Sequence, residues 1–227
     1  MVSFQKIYEI FTGHFQILMD GAGTTLTLSL LSILYGFLLG IIVALLRGVK
    51  FPPVRWIMNA YVEFIRGTPV LVQVLLIVYG LPQLGANKIF GYQLSKFDLS
   101  VIALSVNASA YSAEIIRSGI QSVDRGQSEA AVSLGMTGWQ RMRYVVFPQA
   151  FKVILPTVGN EFVDIIKGSA VLYAIGVGEL TYQANKIASV NFRYIETMIC
   201  AAVIYFVITF ALTRLLRMLE RRMQRAD

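Results

Sequence analysis

The sequence predicts an all-helical integral membrane protein, a single domain over residues 1–227 that crosses the membrane five times. Composition is the first reason: 56% of the residues are hydrophobic and 15% are charged, whereas soluble domains have about 45–50% and about 25%. The second reason is that the apolar residues lie in blocks, and a helix needs about 20 of them to cross a membrane. The five predicted spans are residues 24–46, 69–84, 99–116, 149–171 and 195–216.

The first two spans are set off by helix-breaking residues. The first has no charged residue and is expected to begin after Gly21-Ala22-Gly23. The second is short, and the amphipathic segment 54–65 precedes it between Pro53 and Pro69, which predicts a broken or surface-lying entry into this span. The other three spans are mostly apolar runs, and ionisable side chains are concentrated in the fourth of the five.

Positive charge sets the predicted orientation. Most of the 20 Lys and Arg residues lie in three segments: between the first and second spans, between the third and fourth, and after the fifth. Because cytoplasmic loops carry the excess of Lys and Arg, an odd number of crossings puts the N-terminus outside and the C-terminus in the cytoplasm. The basic residues would lie next to membrane lipid at the ends of the spans. This distribution explains the net charge of +7 without a nucleic-acid partner.

A polar insert over residues 118–147 joins the third and fourth spans and is expected to lie in the cytoplasm. Asp124 is a candidate N-cap for a helix over 128–134, and Gly135 can adopt the left-handed conformation that ends it. Thr137, with a Gln three residues later, has capping-box spacing and predicts a second short helix. The insert is therefore predicted to fold as two short helices joined at a glycine.

This insert resembles the cytoplasmic loop of a known family. Glu129-Ala130-Ala131, Gly135 and the closing Val145-Val146-Phe147-Pro148 follow the Glu-Ala-Ala, Gly and Ile-x-Leu-Pro pattern of ABC importer permeases, with two conservative departures in the last motif. Arg66-Gly67-Thr68-Pro69 and Gly159-Asn160-Glu161 resemble the polar amino acid branch of that family, whose members serve histidine, glutamine, arginine or cystine. The resemblance covers nearly the whole chain.

The resemblance implies a fold, partners and a location. The fold would be that of a type I ABC importer permease in the bacterial cytoplasmic (inner) membrane, acting with a second copy or a sister permease. An extracytoplasmic binding protein would deliver the amino acid, and separate ABC ATPase subunits would bind ATP and Mg. The small Ala130 and Ala131 would let the ATPase approach closely. The predicted coupling residues are Glu129, Ala130, Ala131, Gly135, Arg141 and Pro148.

The chain itself is not expected to be an enzyme or to hold a cofactor or metal. The phosphate-binding pattern Gly-x-x-x-x-Gly-Lys-Ser/Thr does not occur in the sequence, since Lys167-Gly168-Ser169 lacks the earlier glycine. One His and one Cys provide no metal-ligand cluster. ATP hydrolysis is therefore assigned to a separate subunit.

Substrate contacts are predicted where ionisable groups lie at bilayer depth. Such a group costs about 2.5–3.5 kcal/mol at the centre of a membrane helix, so it usually faces a cavity. Glu161 and Asp164 share a face of the fourth span with Gly168, and two carboxylates on one face can hold an ammonium or guanidinium group. Alternatively, Asp164 neutralises Lys167. The predicted substrate-binding residues are Glu161, Asp164, Asn160, Asn107 and Arg66.

The sequence leaves the substrate and the driving force open. Arg66 either meets a substrate carboxylate or marks the cytoplasmic interface. Gly168 stands where members that handle basic amino acids often carry an acid, so arginine, lysine, histidine, glutamine and cystine are all candidates. The alternative function is an ion-coupled secondary amino acid transporter, in which Glu161, Asp164 and Lys167 would couple transport to an ion. The lack of an inverted repeat disfavours that alternative.

Overall fold

The computed structural model describes residues 3–89 and 91–224, and helices make up most of them. In chain order these helices are α1 (Phe4–Gly13), α2 (Phe15–Arg47), α3 (Pro52–Gly67), α4 (Val70–Leu75), α5 (Leu81–Gln83), α6 (Lys96–Gln121), α7 (Arg125–Ser133), α8 (Gly138–Arg141), α9 (Phe147–Gly168), α10 (Leu180–Asn191) and α11 (Tyr194–Gln224). The two ends of the predicted domain, residues 1–2 and 225–227, lie outside the described residues.

Short non-α segments connect several of these helices. Turns of π-helix at Leu76–Gly80 and Met142–Val146 join α4 to α5 and α8 to α9, and a 3-10 segment, Ser169–Ile175, extends α9. Strands β1 (Lys88–Ile89) and β2 (Tyr92–Gln93) pair antiparallel in a small hairpin before α6.

Helix α2 is longer than the sequence predicts. It runs for 33 residues from Phe15, so the expectation that the helix begins only after Gly21-Ala22-Gly23 is wrong. A Cβ at Gly21 would lie 2.9 Å from Gln183 Cγ and 3.0 Å from Leu180 Cα. The glycine therefore allows α10 to pack directly on α2, and this contact outweighs the low helix propensity of glycine.

The α2–α6 contact is the most extensive helix pair among the described residues. A Cβ at Gly36 would lie 2.5 Å from Ala108 Cβ, and one at Gly40 would lie 2.5 Å from Ser112 Cβ. Small residues at such positions let two membrane helices approach closely and gain van der Waals contact. Beside this contact the main core continues toward α4 and the end of α9, with fully buried Leu28, Val74 and Leu172.

The predicted broken entry to the second span is confirmed as a sharp bend. Helices α3 and α4–α5 meet at 109° across a break of a few residues, next to Pro69, the N-cap of α4. The buried Gln73 side chain supports the break, because its Nε2 donates to the carbonyl oxygen of Ile65 at 2.7 Å and to Thr68 Oγ1 at 2.8 Å. It thus satisfies a carbonyl group at the end of α3 that has no partner within the helix.

The described residues include three helices that are long and apolar enough to cross a membrane, and a fourth if the bent pair is counted as one span. The three are Phe15–Arg47, Lys96–Gln121 and Tyr194–Met223. The predicted fourth span corresponds to α9, which has 22 residues. It carries Lys152, Glu161, Asp164 and Lys167, and it is not among the helices long and apolar enough to cross a membrane. The five-span topology and its orientation stay predictions.

Two helices, α1 and α10, lie outside the predicted spans. They pack on α2 and α11 around the buried side chains of Ile10, Leu18 and Leu180. Glu179 caps α10: its two carboxylate oxygens accept from the backbone N–H groups of Thr181 and Tyr182 at 2.9 and 2.7 Å. Burial raises the pKa of this carboxyl group above its ordinary value.

Candidate functional site

Two adjoining cavities lie between α6 and α9, beside the α3–α4 break. The distal cavity, of about 410 Å³, is the one farther from the 118–147 insert. The residues that line only this cavity include Thr68, Leu104, Asn107, Ile165 and Gly168. The loop-side cavity has a volume of about 210 Å³. The residues that line only this cavity include Arg66, Glu114, Ser118, Thr157 and Asn160. Tyr111, Glu161 and Asp164 line both cavities.

All five sequence-predicted substrate residues line these cavities. Asn107 lines the distal cavity, Arg66 and Asn160 line the loop-side cavity, and the two carboxylates line both. The shared helix face of Glu161, Asp164 and Gly168 is confirmed, since all three line the distal cavity. The chain thus brings carboxylate, amide and guanidinium groups to one place from α3, α6 and α9.

Asp164 also forms the predicted ion pair with Lys167. Lys167 Nζ lies 2.7 Å from Asp164 Oδ1, and both side chains are more than half exposed, at 56% and 64%. An ion pair at such exposure contributes little to stability because solvent screens it. The two alternatives for Asp164 are therefore compatible, since the same carboxylate pairs with Lys167 and faces the cavities.

Asn107 is held in place by Gln73. Its Nδ2 donates to Gln73 Oε1 at 2.9 Å, and the Gln73 amide is itself fixed by the α3–α4 break. The Gln73–Asn107 contact joins residues 34 positions apart and has no signal in the local sequence. The position of Asn107 in the wall of the distal cavity therefore depends, through Gln73, on the α3–α4 break.

Arg66 lies against an aromatic ring at the boundary of the two cavities. Its guanidinium carbon is 5.4 Å from the centre of the Tyr111 ring, within the range of a cation–π interaction. The sequence allows Arg66 to be either a substrate contact or a marker of the cytoplasmic interface. Arg66 also lines the loop-side cavity with Glu161 and Asp164, so its charge lies near both carboxylates.

Glu114 is the centre of an ion-pair cluster that sequence reasoning missed. Arg47 Nη1 lies 2.9 Å from Glu114 Oε2, and Arg47 Nε donates to Asn59 Oδ1 at 2.8 Å. Arg117 also bonds to Glu114 from the next turn of α6. The cluster ties α2 and α3 to α6 just before α6 enters the insert.

The insert folds as predicted. Asp124 Oδ1 accepts from the N–H of Gly126 at 2.7 Å, Gly135 has a positive φ of 76°, and Thr137 and Gln140 form the capping box. The expected roles of the two alanines need correction, because Ala130 is exposed whereas Ala131 is only 3% exposed. Ala131 therefore packs inside the insert and does not form its surface.

The remaining predicted coupling residues lie around this fold. Glu129 is exposed and Arg141 is half-buried, while Pro148 occupies the first turn of α9. Leu134 and Trp139 are 79% and 73% exposed. Large apolar side chains exposed on a polar loop are typical of a protein contact surface. The structure thus adds two candidate contact residues that the sequence analysis did not select.

Long apolar helices with ionisable side chains around partly open cavities are typical of a membrane transport protein. Residues 36–225 match the family of binding-protein-dependent transport system inner membrane components. Among curated relatives, the arginine transport system permease protein ArtQ of Bacillus subtilis is 37% identical over 92% of this chain and 94% of its own length. The L-cystine transport system permease protein TcyB of the same organism is 40% identical over 92% of this chain and 87% of its own length.

A solved structure agrees with these relatives. It is described as an amino acid ABC transporter with histidines, and one of its chains matches this chain with a TM-score of 0.89 and 45% identity, over 98% of this chain and 99% of that one. The chain therefore belongs to the family of binding-protein-dependent transport system inner membrane components, among its amino acid ABC permeases.

Membership of this family confirms the predicted fold class, a type I ABC importer permease, and the predicted function class. It gives no support to the alternative of an ion-coupled secondary transporter. In this family the permease is not the catalytic subunit. The roles of individual residues stay predictions, and so does the expectation that the chain holds no cofactor.

Proposed function

We propose that this chain is one of two permease subunits of a bacterial ABC importer and that its distal cavity holds a cationic or neutral polar amino acid during transport. The observation that carries the proposal is the grouping of both signs of charge around two adjoining cavities: Glu161 and Asp164 on α9, and Arg66 on α3. An amino acid zwitterion needs one group of each sign.

The chemistry of the walls matches the parts of an amino acid. The ammonium group would lie against Glu161 and Asp164, and the carboxylate would lie toward the amide of Asn107, with Arg66 and Asn160 in the adjoining loop-side cavity. Charge-assisted hydrogen bonds of this kind are about twice as strong as neutral ones. In a space partly removed from water they also offset the desolvation of the two charged ends.

The carboxylate pair also limits the substrate class. A glutamate or aspartate side chain would add a negative charge next to Glu161 and Asp164, and like charges in a partly desolvated site repel strongly. An arginine, lysine or histidine side chain is attracted to the same pair, and glutamine or cystine is tolerated. The relatives named for arginine and cystine transport support this class.

We further propose the five-span topology, with the N-terminus outside and the 118–147 insert and C-terminus in the cytoplasm. The α3–α5 segment would be one broken crossing, and α9 would cross with its charges facing the pathway. The distribution of Lys and Arg supports this orientation. The location would be the bacterial cytoplasmic membrane.

The partners follow from the same proposal. ABC ATPase subunits would dock on the insert at Glu129, Gly135 and the exposed Trp139, and ATP binding would move the insert and with it α6 and α9. A second copy or a sister permease would complete the pathway. An extracytoplasmic binding protein would deliver the amino acid.

Equilibrium binding to the purified complex tests the proposed site. Radiolabelled arginine would be displaced by unlabelled arginine, lysine, glutamine, cystine and glutamate in turn, in wild type and in the variants Glu161→Gln and Glu63→Gln. Glu63 is exposed on α3 and does not line either cavity. We expect at least one cationic or neutral polar amino acid to bind, glutamate to compete least, and only Glu161→Gln to weaken binding. Equal binding by both variants would exclude Glu161 from the site.

A further inference from the structure

The two cavities adjoin and share three lining residues. Tyr111, Glu161 and Asp164 line both, whereas the other lining residues differ between them. The distal cavity extends along α9 to Gly168, and the loop-side cavity extends back to Thr157. The helix rises about 1.5 Å per residue, so the cavities follow one another along α9 over more than one turn.

One contact lies where the two cavities meet. Tyr111 comes from α6 and lines both cavities, and its ring lies 5.4 Å from the guanidinium carbon of Arg66, which comes from α3 and lines the loop-side cavity. The contact joins two helices and involves no backbone hydrogen bond. It can therefore open by a side-chain movement, without unfolding of either helix.

The loop-side cavity also lies against the part of α6 that leads into the insert. Glu114 and Ser118 line it, and Glu114 is held by Arg47 and Arg117. Helix α6 ends at Gln121 and the insert helix α7 starts at Arg125. A movement of the insert would therefore change the wall of the loop-side cavity directly.

We propose that the loop-side cavity is a second, transient binding subsite for the transported amino acid, and that the Arg66–Tyr111 contact separates it from the distal cavity. The amino acid moves from the distal to the loop-side cavity along the Glu161–Asp164 face, because both carboxylates remain within reach of its ammonium group. Arg66 moves from the ring of Tyr111 to the carboxylate of the amino acid as it passes. This inference rests on the proposed function of the distal cavity.

Substitutions that fill one cavity at a time with a larger side chain test whether the two cavities are distinct binding subsites. Gly168→Leu extends a side chain into the distal cavity, where a Cβ meets nothing within 4 Å. Thr157→Phe fills the loop-side cavity from the exposed face of α9, and Ser118→Leu fills it from α6. Binding and ATP-driven uptake would be measured on the whole complex with radiolabelled arginine, or with glutamine or cystine if competition selects one of them.

The two kinds of variant are expected to behave differently. Gly168→Leu should raise Kd by about tenfold or more, as expected for overpacking of a site. Thr157→Phe and Ser118→Leu should change Kd by less than about twofold while they reduce the maximal uptake rate severalfold. A similar rise in Kd for all three variants would mean one continuous site and overturn the inference, as would normal uptake by both loop-side variants. An unchanged Kd for Gly168→Leu would instead remove the distal cavity from the proposed function.

The separating contact has its own test, the rate at which the bound amino acid leaves the purified complex without ATP. A cation–π contact at an accessible position corresponds to about a two- to fivefold change in rate. Tyr111→Leu should accelerate release by about that factor, and Tyr111→Phe by less because the ring is kept. Tyr35 lies on α2 and lines neither cavity, so Tyr35→Leu is the matched control. Equal release rates for Tyr111→Leu and the control would overturn the role of the contact.

Discussion

The two sides of α6 differ in how they pack. On the α2 side the two helices form a densely packed unit, which we call the frame, and the α9 side borders the cavities of the proposed transport pathway. On one side, α2 approaches so closely that the missing side chains of Gly36 and Gly40 leave no room for a methyl group. On the other side, α6 meets α9 closely near Gly119, where a Cβ would overlap Ile154 Cγ1, but farther along the two helices border two cavities with carboxylates in their walls. Dense packing transmits movement as a unit, so we infer that α2 and α6 move together while the α6–α9 side adapts to the substrate.

Overpacking the dense side should have the largest effect. Gly40→Leu places a side chain against Ser112 Cβ and the carbonyl oxygen of Ser109, and the cost should reach about 3 kcal/mol or more. We expect no monodisperse permease after purification, as judged by size-exclusion chromatography. Gly23→Leu, in the same helix with no neighbour within 4 Å, should assemble normally. Equal yields of both variants would refute the dense contact.

A second large effect is expected at the insert. Gly135→Asp forces a residue with a side chain into the left-handed conformation, at a cost of about 1–2 kcal/mol, and adds a negative charge at the proposed ATPase contact. We expect membrane insertion to continue while ATPase co-purification and uptake are lost. Gly135→Asn is the milder control because Asn tolerates this conformation. Persistence of both ATPase binding and uptake in Gly135→Asp would remove the insert from coupling.

A smaller effect is expected where the frame is tied to the end of α6. The Arg47 and Glu114 side chains are 18% and 21% exposed, so the pair is better shielded than a surface pair. A double-mutant cycle with Arg47→Met and Glu114→Gln should give a coupling energy of about 1 kcal/mol. Thermal unfolding of the purified complex measures it. Strictly additive shifts would show that the two side chains contribute independently.

The smallest expected effect concerns α10, which packs on the dense part of α2. Glu179→Ala removes the cap of this helix and should cost about 1 kcal/mol, or roughly 2–4 °C in Tm for a domain of this size. Glu179→Gln keeps an accepting oxygen and should lower Tm less. A Tm equal to that of wild type in Glu179→Ala would mean that the cap does not stabilise α10.

What the sequence predicts well is local. The caps at Asp124 and Thr137 and the left-handed Gly135 depend on residues within a few positions, and they were all predicted. The break before Pro69 was predicted for the same reason. The shared face of Glu161 and Asp164 follows from helix periodicity alone.

What the sequence misses depends on contacts between distant residues. Gly21 has the pattern of a helix breaker, and only the approach of Leu180 explains why a glycine is needed within α2. The Arg47–Glu114 pair joins residues 67 positions apart, and the Arg66–Tyr111 contact also depends on how α3 folds back onto α6. Helix α1 is too short for a span, so a search for apolar blocks does not reveal it.

ATP-driven uptake into proteoliposomes tests most directly whether the cavities between α6 and α9 carry the amino acid. Initial rates of arginine, glutamine and cystine uptake would be measured with the ATPase and binding protein present, for wild type, Glu161→Gln and Glu63→Gln. The account predicts ATP-dependent uptake of one of these by wild type and Glu63→Gln, and a rate at least about tenfold lower for Glu161→Gln with the complex intact, about 1.4 kcal/mol in free energy. Uptake by Glu161→Gln at the rate of Glu63→Gln would contradict it.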